Sequence, residues 1–388
     1  MEDIGIANPP PKPARAVLVI KEVSTSQDLR EFIDFPYGLY RGNPCYVPPL
    51  KTDEKITLQQ NTNPAFDHCE ARYWLAYRDG KIAGRVAGII NHSFIKRWAK
   101  KYARFGWFDF EDDETVAFAL LRQVEQWAAE QGMDAVHGPM GFTNFDPAGV
   151  LVEGYDQVAT LAELYNYQYY PACIEKAGYQ KEVDWVEYKI SVPKKVPEKI
   201  EQVAAIVKRR NKLSTVNLRN ANDISRYARS IFELINTCYG HLHGVVPLTE
   251  KQIHYYIRRY LPVIRKDFLS LVVDQEGTLI ALGITMPSLS RALQKANGTI
   301  FPFGLFHIMK ALRKNNTAEL CLVAIRPDFQ GKGVNALLIE EINKAYIRNN
   351  ITMAEANPEL ESNKRVRSLW TYYETRQHKR RRCYLKYL

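Results

Sequence analysis

The hydrophobic pattern is most informative in the last third of the chain, where a strand-like run precedes a helix-like run. Residues 319–325 are nearly all apolar and include β-branched side chains, which predicts a buried strand. Between residues 334 and 342 the apolar positions recur at helical spacing, which predicts an amphipathic helix. Two glycines, Gly331 and Gly333, lie between the runs. The pattern therefore predicts a strand, a tight turn and a helix in direct succession.

A similar order of elements occurs in each half of the chain. Residues 78–81 (Arg-Asp-Gly-Lys) are typical of a hairpin with a type I′ turn, and residues 275–277 mark a second hairpin. Helices are predicted over residues 114–131 and, rich in tyrosine, over about 157–177, with a last strand at 383–387. This order predicts an α/β fold (α+β, mixed sheet) of two modules, each with a mostly antiparallel central sheet flanked by helices.

The predicted elements divide the chain into segments. A flexible tail is expected over residues 1–16, followed by a module without a glycine turn over 17–192. A basic linker over 193–212 then leads to a module with the glycine turn over 213–388.

Composition narrows the class of protein. A chain of 388 residues with 46% hydrophobic content is long enough for two domains with buried cores. It contains no apolar run of membrane-spanning length, and its start lacks the features of a signal peptide. Its six cysteines form no CxxC pair and no zinc-finger cluster with histidine. We therefore expect a cytoplasmic protein without a metal site.

Positive charge is unevenly distributed. The net charge is +10, and residues 364–388 contain nine Lys or Arg against one acid, Glu374. A second basic stretch covers residues 208–212. Such patches suit nucleic acid, an anionic membrane or an acidic ligand, but they can also be solvated faces.

The glycine turn has the features of a phosphate cradle. Glycines let the backbone turn tightly and approach a ligand closely, and the N–H groups at the next helix's start attract anions. The sequence matches neither the P-loop motif nor the dinucleotide-binding motif. An ordinary strand–turn–helix corner remains the alternative.

The turn resembles motif A of the GNAT acyltransferase superfamily, Q/R-x-x-G-x-G/A, although Asn335 occupies a position where Gly or Ala is usual. The resemblance implies that this turn binds the pyrophosphate of an acyl-coenzyme A (acyl-CoA), the co-substrate, and that the preceding strand end supplies the oxyanion's backbone donor. The implied binding residues are Val323, Ala324, Ile325, Gln330, Gly331, Lys332, Gly333, Val334, Asn335 and Asn363.

The first half has no such turn. After its strand at residues 105–110 come the acids of residues 111–114, which would stabilise a helix start and repel a pyrophosphate. We expect this module not to bind CoA, and to serve as a packing partner or as one wall of an amine cleft.

Further segments resemble a bacterial family of tandem-GNAT proteins and, more distantly, bacterial ceramide synthases, which join a fatty acyl-CoA to a long-chain amine. The segments are 35–44, 46–50, 84–88, 138–139 and 165–170. The resemblance implies direct acyl transfer to a primary amine, without metal or covalent intermediate. The acceptor could be a small molecule or a lipid.

The same resemblance suggests catalytic residues. It favours Glu355 and Glu361 as bases, and each could instead be a surface acid. Tyr373 is the candidate thiolate acid, although the usual spacing places Trp370 in the tyrosine position. In residues 240–244, His241 and His243 could act as an alternative base or be structural.

Two other classes of function remain open. One is a catalytically silent GNAT-like ligand-binding or sensor protein, and the other is a nucleic-acid-binding protein, which we do not favour. Residues 380–382 (Arg-Arg-Arg) could meet the 3′-phosphate of CoA, an acidic substrate or membrane headgroups, so peripheral contact with an anionic inner membrane is plausible. A phenylalanine- and leucine-rich insertion at 301–312 could line an acyl tunnel or form domain-interface core. The oligomeric state stays open.

Overall fold

The computed structural model describes residues 17–363 and 373–388. The strands are β1 Leu18–Glu22, β2 Cys69–Arg78, β3 Lys81–Asn91, β4 Tyr102–Phe110, β5 Ala135–Gly138, β6 Val150–Glu153, β7 Gln180–Ser191, β8 Ser214–Thr215, β9 Leu269–Val273, β10 Leu279–Pro287, β11 Thr317–Ile325, β12 Met353–Ala356, β13 Glu359–Leu360 and β14 Thr375–Tyr387. The helices are α1 Ser26–Leu39, α2 Lys51–Leu58, α3 His92–Trp98, α4 Glu114–Glu130, α5 Tyr169–Lys176, α6 Glu198–Arg210, α7 Ala221–Tyr239, α8 Glu250–Tyr260, α9 Ser290–Ala296, α10 Gly304–Arg313 and α11 Asn335–Arg348.

The described strands form one mixed sheet that runs through both halves of the chain. Its order is β1-β2-β3-β4-β5-β14-β7-β12-β11-β10-β9-β8, with β6 and β13 paired at the side. Neighbours are antiparallel except for the parallel pairs β4–β5 and β11–β12. The predicted α/β fold with a mixed sheet is confirmed.

The two halves exchange their last strands. β14, from the end of the chain, lies between β5 and β7 of the first half, and β7 pairs with β12 of the second half. The β7–β14 ladder runs from Thr375 opposite Ile190 to Leu385 opposite Gln180. Sheet contacts thus cross the boundary predicted from sequence, so neither half contains all the strands of its own sheet.

Local sequence signals account for several elements. Asp79 and Gly80 both have positive φ in the β2–β3 hairpin, as the predicted type I′ turn requires. Thr25 and Asp28 form a capping box at the start of α1. The prediction of a helix over residues 114–131 is confirmed by α4.

One prediction about local structure was wrong and another was incomplete. Residues 193–212, predicted as a basic linker, contain α6, whose buried Ile200, Ala204 and Val207 recur at helical spacing. Ala204 and Val207 pack α6 against α11. The tyrosine-rich helix covers only α5. Before it, the side chain of Asn166 binds both the N–H and the C=O of Leu151, which holds this segment in a non-helical conformation.

Each half has its own core, and a third cluster joins them. Trp74, Phe105 and Trp127 lie in the first core, whereas the second is built from α7, α8 and β9–β11. The joining cluster contains Tyr46 and Tyr165 of the first half and Leu293 of α9. Among the described helices, none has the length and apolar character needed to cross a bilayer.

Candidate active site

The predicted glycine turn forms a cradle between β11 and α11. One turn of 3₁₀ helix, Pro327–Phe329, follows β11, and the side-chain amide of Gln330 then donates to the Ile325 carbonyl at 3.0 Å. Gly331 and Gly333 have φ values of 77° and 79°, in the left-handed region.

These dihedrals bring successive N–H groups to the start of α11. Within the described residues, four of these N–H groups donate no hydrogen bond, those of Gly331, Gly333, Val334 and Asn335. Four free donors at a helix N-terminus suit an anion such as pyrophosphate.

Helix α6 packs directly beside this cradle. A Cβ added at Gly333 would lie 2.9 Å from a methyl group of Val207, whereas one added at Gly331 would meet open space. Lys208, Arg209 and Arg210 follow Val207 at the end of α6 and are exposed. The basic stretch predicted as a linker therefore lies near the cradle.

The strand that leads to the cradle separates from its parallel neighbour. β11 and β12 pair from Thr317 opposite Met353 to Leu320 opposite Ala356. Beyond that point Asn357 binds the carbonyls of Leu320 and Cys321, and the register of the pair ends. The end of β11 is therefore open on this side for a ligand to approach its backbone.

Tyr239, at the end of α7, occupies part of that open edge. Its hydroxyl donates to the Val323 carbonyl at 2.9 Å and accepts from the Val323 N–H at 3.3 Å. Val323 belongs to the backbone segment predicted to bind the acyl group. Sequence reasoning missed Tyr239, because nothing in the local pattern links it to a strand 84 residues away.

Glu319 is a second residue that sequence reasoning missed as a functional group. Its neighbour Leu320 packs in the cluster that contains Ile342 of α11, so the Glu319 side chain points to the opposite face of the sheet. There it is buried and accepts a hydrogen bond from Ser288 at 2.7 Å. Burial raises the pKa of Glu319 to about 7. The available signal was a single carboxylate in an otherwise apolar strand.

Glu355, a predicted base, lies directly opposite Glu319 on β12. It is largely buried, with Oε2 at 3.6 Å from Lys379 Nζ and 4.0 Å from His378 Nε2. Burial lowers the pKa of His378 to about 3, so this imidazole is neutral. Lys379 also pairs with Glu187 at 2.7 Å, which extends the charged cluster along β7 and β14.

Glu361, the other predicted base, lies in a different environment. It pairs with Arg380 at 2.6 Å and with Lys181 at 3.1 Å. The hydrogen bond from Arg380, followed by that from Lys181, lowers the pKa of Glu361. A half-exposed carboxylate held ionised by two cations is a weak base near neutral pH.

The structure gives the hydrogen-bond partners of Tyr373, the predicted thiolate acid, and of the Asn363 backbone, a predicted binding residue. The Tyr373 hydroxyl is hydrogen-bonded to the side-chain amide of Asn343 on α11, and burial raises the pKa of Tyr373 to about 12. The Asn363 N–H donates to the Leu360 carbonyl at 2.8 Å. Trp370, Tyr372 and most of the predicted helix after Asn363 lie outside the described residues. The role of Tyr373 stays a prediction.

The terminal arginines do not form a free basic tail. Arg381 is buried against Glu187 and Glu163, and Arg380 and Arg382 share Asp184. These three charges are therefore matched by carboxylates, and contact of the C-terminal segment with a phosphate, a headgroup or a nucleic acid stays a prediction.

The first half lacks the cradle geometry. Asp113 caps α4, accepting from the Thr115 N–H at 2.9 Å, and pairs with Arg78. A cavity of about 60 Å³ lies beside β4, lined by Trp107, Asp109 and other residues, with room for a few water molecules. That this module binds no CoA stays a prediction.

The architecture is the tandem GNAT fold, as comparison with solved structures shows. A tandem GNAT protein from the clavulanic acid biosynthesis pathway superimposes with a TM-score of 0.55 at 12% identity, covering 96% of this chain and 98% of that one. A GCN5-related glucosamine N-acetyltransferase region of a fungal multi-domain GH3 beta-N-acetylglucosaminidase gives a TM-score of 0.58 at 14% identity. That superposition covers 96% of this chain but only 38% of the fungal protein.

Two curated relatives are similar in sequence. Protein YghO of Escherichia coli (strain K12) is 26% identical over 379 residues, which is 95% of each chain. A bacterial ceramide synthase of Caulobacter vibrioides is 27% identical over 321 residues, 81% of this chain and 82% of the relative. No protein-family profile matches the chain.

Proposed function

We propose that this chain is an acyl-CoA-dependent N-acyltransferase that transfers the acyl group directly to a primary amine. The observation that carries the proposal is the glycine cradle, with four free N–H groups, at the end of a strand whose parallel neighbour has separated from it. The tandem GNAT fold of the chain supports the same conclusion.

The cradle and α6 together would bind the nucleotide end of CoA. The free N–H groups of Gly331, Gly333, Val334 and Asn335 would face the pyrophosphate, and the helix dipole of α11 adds to the attraction. Lys208, Arg209 and Arg210 are the exposed cations nearest to the cradle along α6. We assign to them the 3′-phosphate that the terminal arginines were expected to meet.

The backbone of Val323 would then bind the thioester carbonyl. Its N–H donates to the Tyr239 hydroxyl oxygen, so the Tyr239 side chain would have to move away from the strand to release this donor for the oxyanion. The amine nitrogen attacks the thioester carbon, a C–N bond forms, and the C–S bond breaks. The departing CoA thiolate takes up a proton.

Glu319 would accept the proton that the amine loses. Its pKa of about 7 is suited to proton transfer near neutral pH. It lies four residues before Val323 on the same strand, about 13 Å of extended backbone, so the proton would be relayed to the carboxylate through bound water. We place Glu355 as its partner, whose negative charge contributes to the raised pKa of Glu319. Glu361 is the weaker candidate because two cations hold it ionised.

An exposed apolar surface supports a lipid acceptor. Phe301 and Phe303 are 75% and 73% exposed, and Leu305, Phe306 and Met309 extend this apolar patch along α10. Lys310, Arg313 and Lys314 flank it. Aromatic residues beside basic ones are typical of contact with an anionic bilayer.

The apolar patch is also connected to the candidate base. α10 packs against α9, and α9 begins at Ser290, whose hydroxyl lies 3.5 Å from Glu319. The relative named as a bacterial ceramide synthase points to the same class of acceptor. We therefore propose a long-chain amine, acylated by a cytoplasmic protein at the inner membrane surface.

The test is a turnover assay on the full chain. Acetyl-CoA or palmitoyl-CoA is supplied with a panel of primary amines that includes a sphingoid base, and free CoA thiol and N-acyl product are measured. We expect amine-dependent thiol release with one N-acyl product per thiol. Saturable binding without turnover on any amine would favour the silent ligand-binding protein instead.

A further inference from the structure

Three potential metal ligands from distant parts of the chain meet outside the candidate active site. They are His137 on β5, Glu182 on β7 and His243 in the loop between α7 and α8. One ligand atom of each lies within 4.8 Å of those of the others. His137 Nδ1 is 3.1 Å from one Glu182 oxygen, and His243 Nε2 is 3.3 Å from the other.

Hydrogen bonding does not account for the whole arrangement. His137 is fully buried; its Nδ1 is hydrogen-bonded to Glu182, whereas its Nε2, on the other side of the ring, has no hydrogen-bond partner among the described residues. His243 Nε2 is also buried without a hydrogen bond, although a Glu182 oxygen lies close to it. A buried imidazole nitrogen directed at a carboxylate without hydrogen-bond geometry is the arrangement expected when a cation lies between them.

The strand itself is distorted at the central ligand. Across the β7–β14 ladder Cys383 pairs with Val183 and Tyr384 pairs with Lys181, so Glu182 is the extra residue of a β-bulge. Bulges change the direction of a side chain and are common next to functional sites. Here the bulge places Glu182 between the two histidines.

We propose that His137, Glu182 and His243 bind a divalent transition-metal ion, with zinc as the best fit. Two imidazoles and one carboxylate are a ligand set that zinc takes in proteins, with a fourth position left for water. Ligands about 2.1 Å from a tetrahedral ion are about 3.4 Å apart, close to the two observed separations. Imidazole ligands do not favour magnesium or calcium.

The ion would fasten a loop of the second half to the sheet of the first half. The loop that contains His243 begins directly after Tyr239, and its carbonyls at Gly240 and Gly244 accept hydrogen bonds from Arg97 and Arg104. Fixing this loop fixes the end of α7, where Tyr239 contacts Val323. The site stands on its own geometry and does not depend on the proposed acyl transfer.

Zinc titration of the chelator-treated full chain tests the proposal. The wild type should bind one zinc ion per chain, and zinc should raise its Tm by several degrees. His243→Ala should weaken binding at least about 100-fold, because a ligand is lost. His241→Ala removes an exposed histidine two residues away and should bind zinc as the wild type does.

Glu182→Gln is a second variant that keeps the shape of the central side chain. It should also weaken zinc binding, and magnesium should not replace zinc in the wild type. The proposal is overturned if the wild type binds no zinc. It is also overturned if His243→Ala and Glu182→Gln both bind zinc as tightly as the wild type.

Discussion

Glu319 and Glu355 lie directly opposite each other on two parallel strands, β11 and β12, which separate just beyond them. One carboxylate is buried next to two serine hydroxyls, and the other faces a lysine and a neutral histidine. Two neighbouring acids in different environments are a common way to obtain one proton acceptor near neutral pH. In the proposed mechanism, proton transfer would therefore take place on the face of the sheet opposite α11.

The first prediction concerns Glu319→Gln. Loss of the proton acceptor should lower kcat by about 10²- to 10⁴-fold while leaving acyl-CoA binding nearly unchanged. Because the active form is the carboxylate and its pKa is about 7, kcat/KM of the wild type should fall as pH drops below about 7. The substitution should remove that dependence. Steady-state kinetics across pH, with Glu361→Gln as the comparison, checks this; equal losses in both variants would contradict the assignment.

Stability should depend on pH through the same carboxyl group. Its pKa is raised in the folded protein above the usual value of 4.5, so the folded state holds this proton more tightly than the unfolded state. This contribution is present below about pH 4.5 and is lost as pH rises towards 7. The free energy of unfolding of Glu319→Gln relative to the wild type should therefore rise over that interval. A difference in the free energy of unfolding that stays constant with pH would show that folding does not raise the pKa of Glu319.

The third prediction concerns the basic end of α6. Charge reversal in Lys208→Glu/Arg210→Glu should weaken binding of CoA more than binding of dephospho-CoA, which lacks the 3′-phosphate. Lys194→Glu, just before α6, is the matched control because it changes a similarly exposed lysine in the same basic segment. Calorimetry with both ligands decides the question. An equal loss for the two ligands would place the 3′-phosphate elsewhere.

The fourth prediction concerns the apolar patch on α10. Phe303→Glu/Phe306→Glu should strongly reduce sedimentation with vesicles that contain anionic lipid, because two exposed aromatic anchors are replaced by negative charge. Val19→Glu adds a charge at an exposed apolar residue on β1 and should sediment like the wild type. Activity on a short, water-soluble amine should persist in both variants. Unchanged sedimentation of the double variant would contradict the proposed contact between the apolar patch and the membrane.

Sequence patterns predicted what depends on neighbouring residues. The cradle at Gly331 and Gly333, the Asp79–Gly80 turn and α4 all follow from local spacing or backbone preference. α6 was missed because its charged face dominates the composition, although its buried residues have helical spacing.

The rest depends on contacts between distant segments. The insertion of β14 between β5 and β7 requires knowing which strands pair, and periodicity does not contain that information. For the same reason Tyr239 could not be assigned to Val323, nor His243 to His137. Glu319 was treated as part of a buried strand because its raised pKa arises from burial, which only the fold reveals.

Calorimetric titration of acetyl-CoA into the wild type, Gly333→Ala and Gly277→Ala tests the central claim most directly. Both glycines have φ near 80°, so both substitutions impose similar backbone strain, but only the methyl group at 333 would collide with Val207 beside the cradle. We predict saturable binding to the wild type and Gly277→Ala, and binding at least about tenfold weaker to Gly333→Ala, because the free N–H groups move. Absence of binding to the wild type would contradict the acyltransferase account, as would equal affinity in all three proteins.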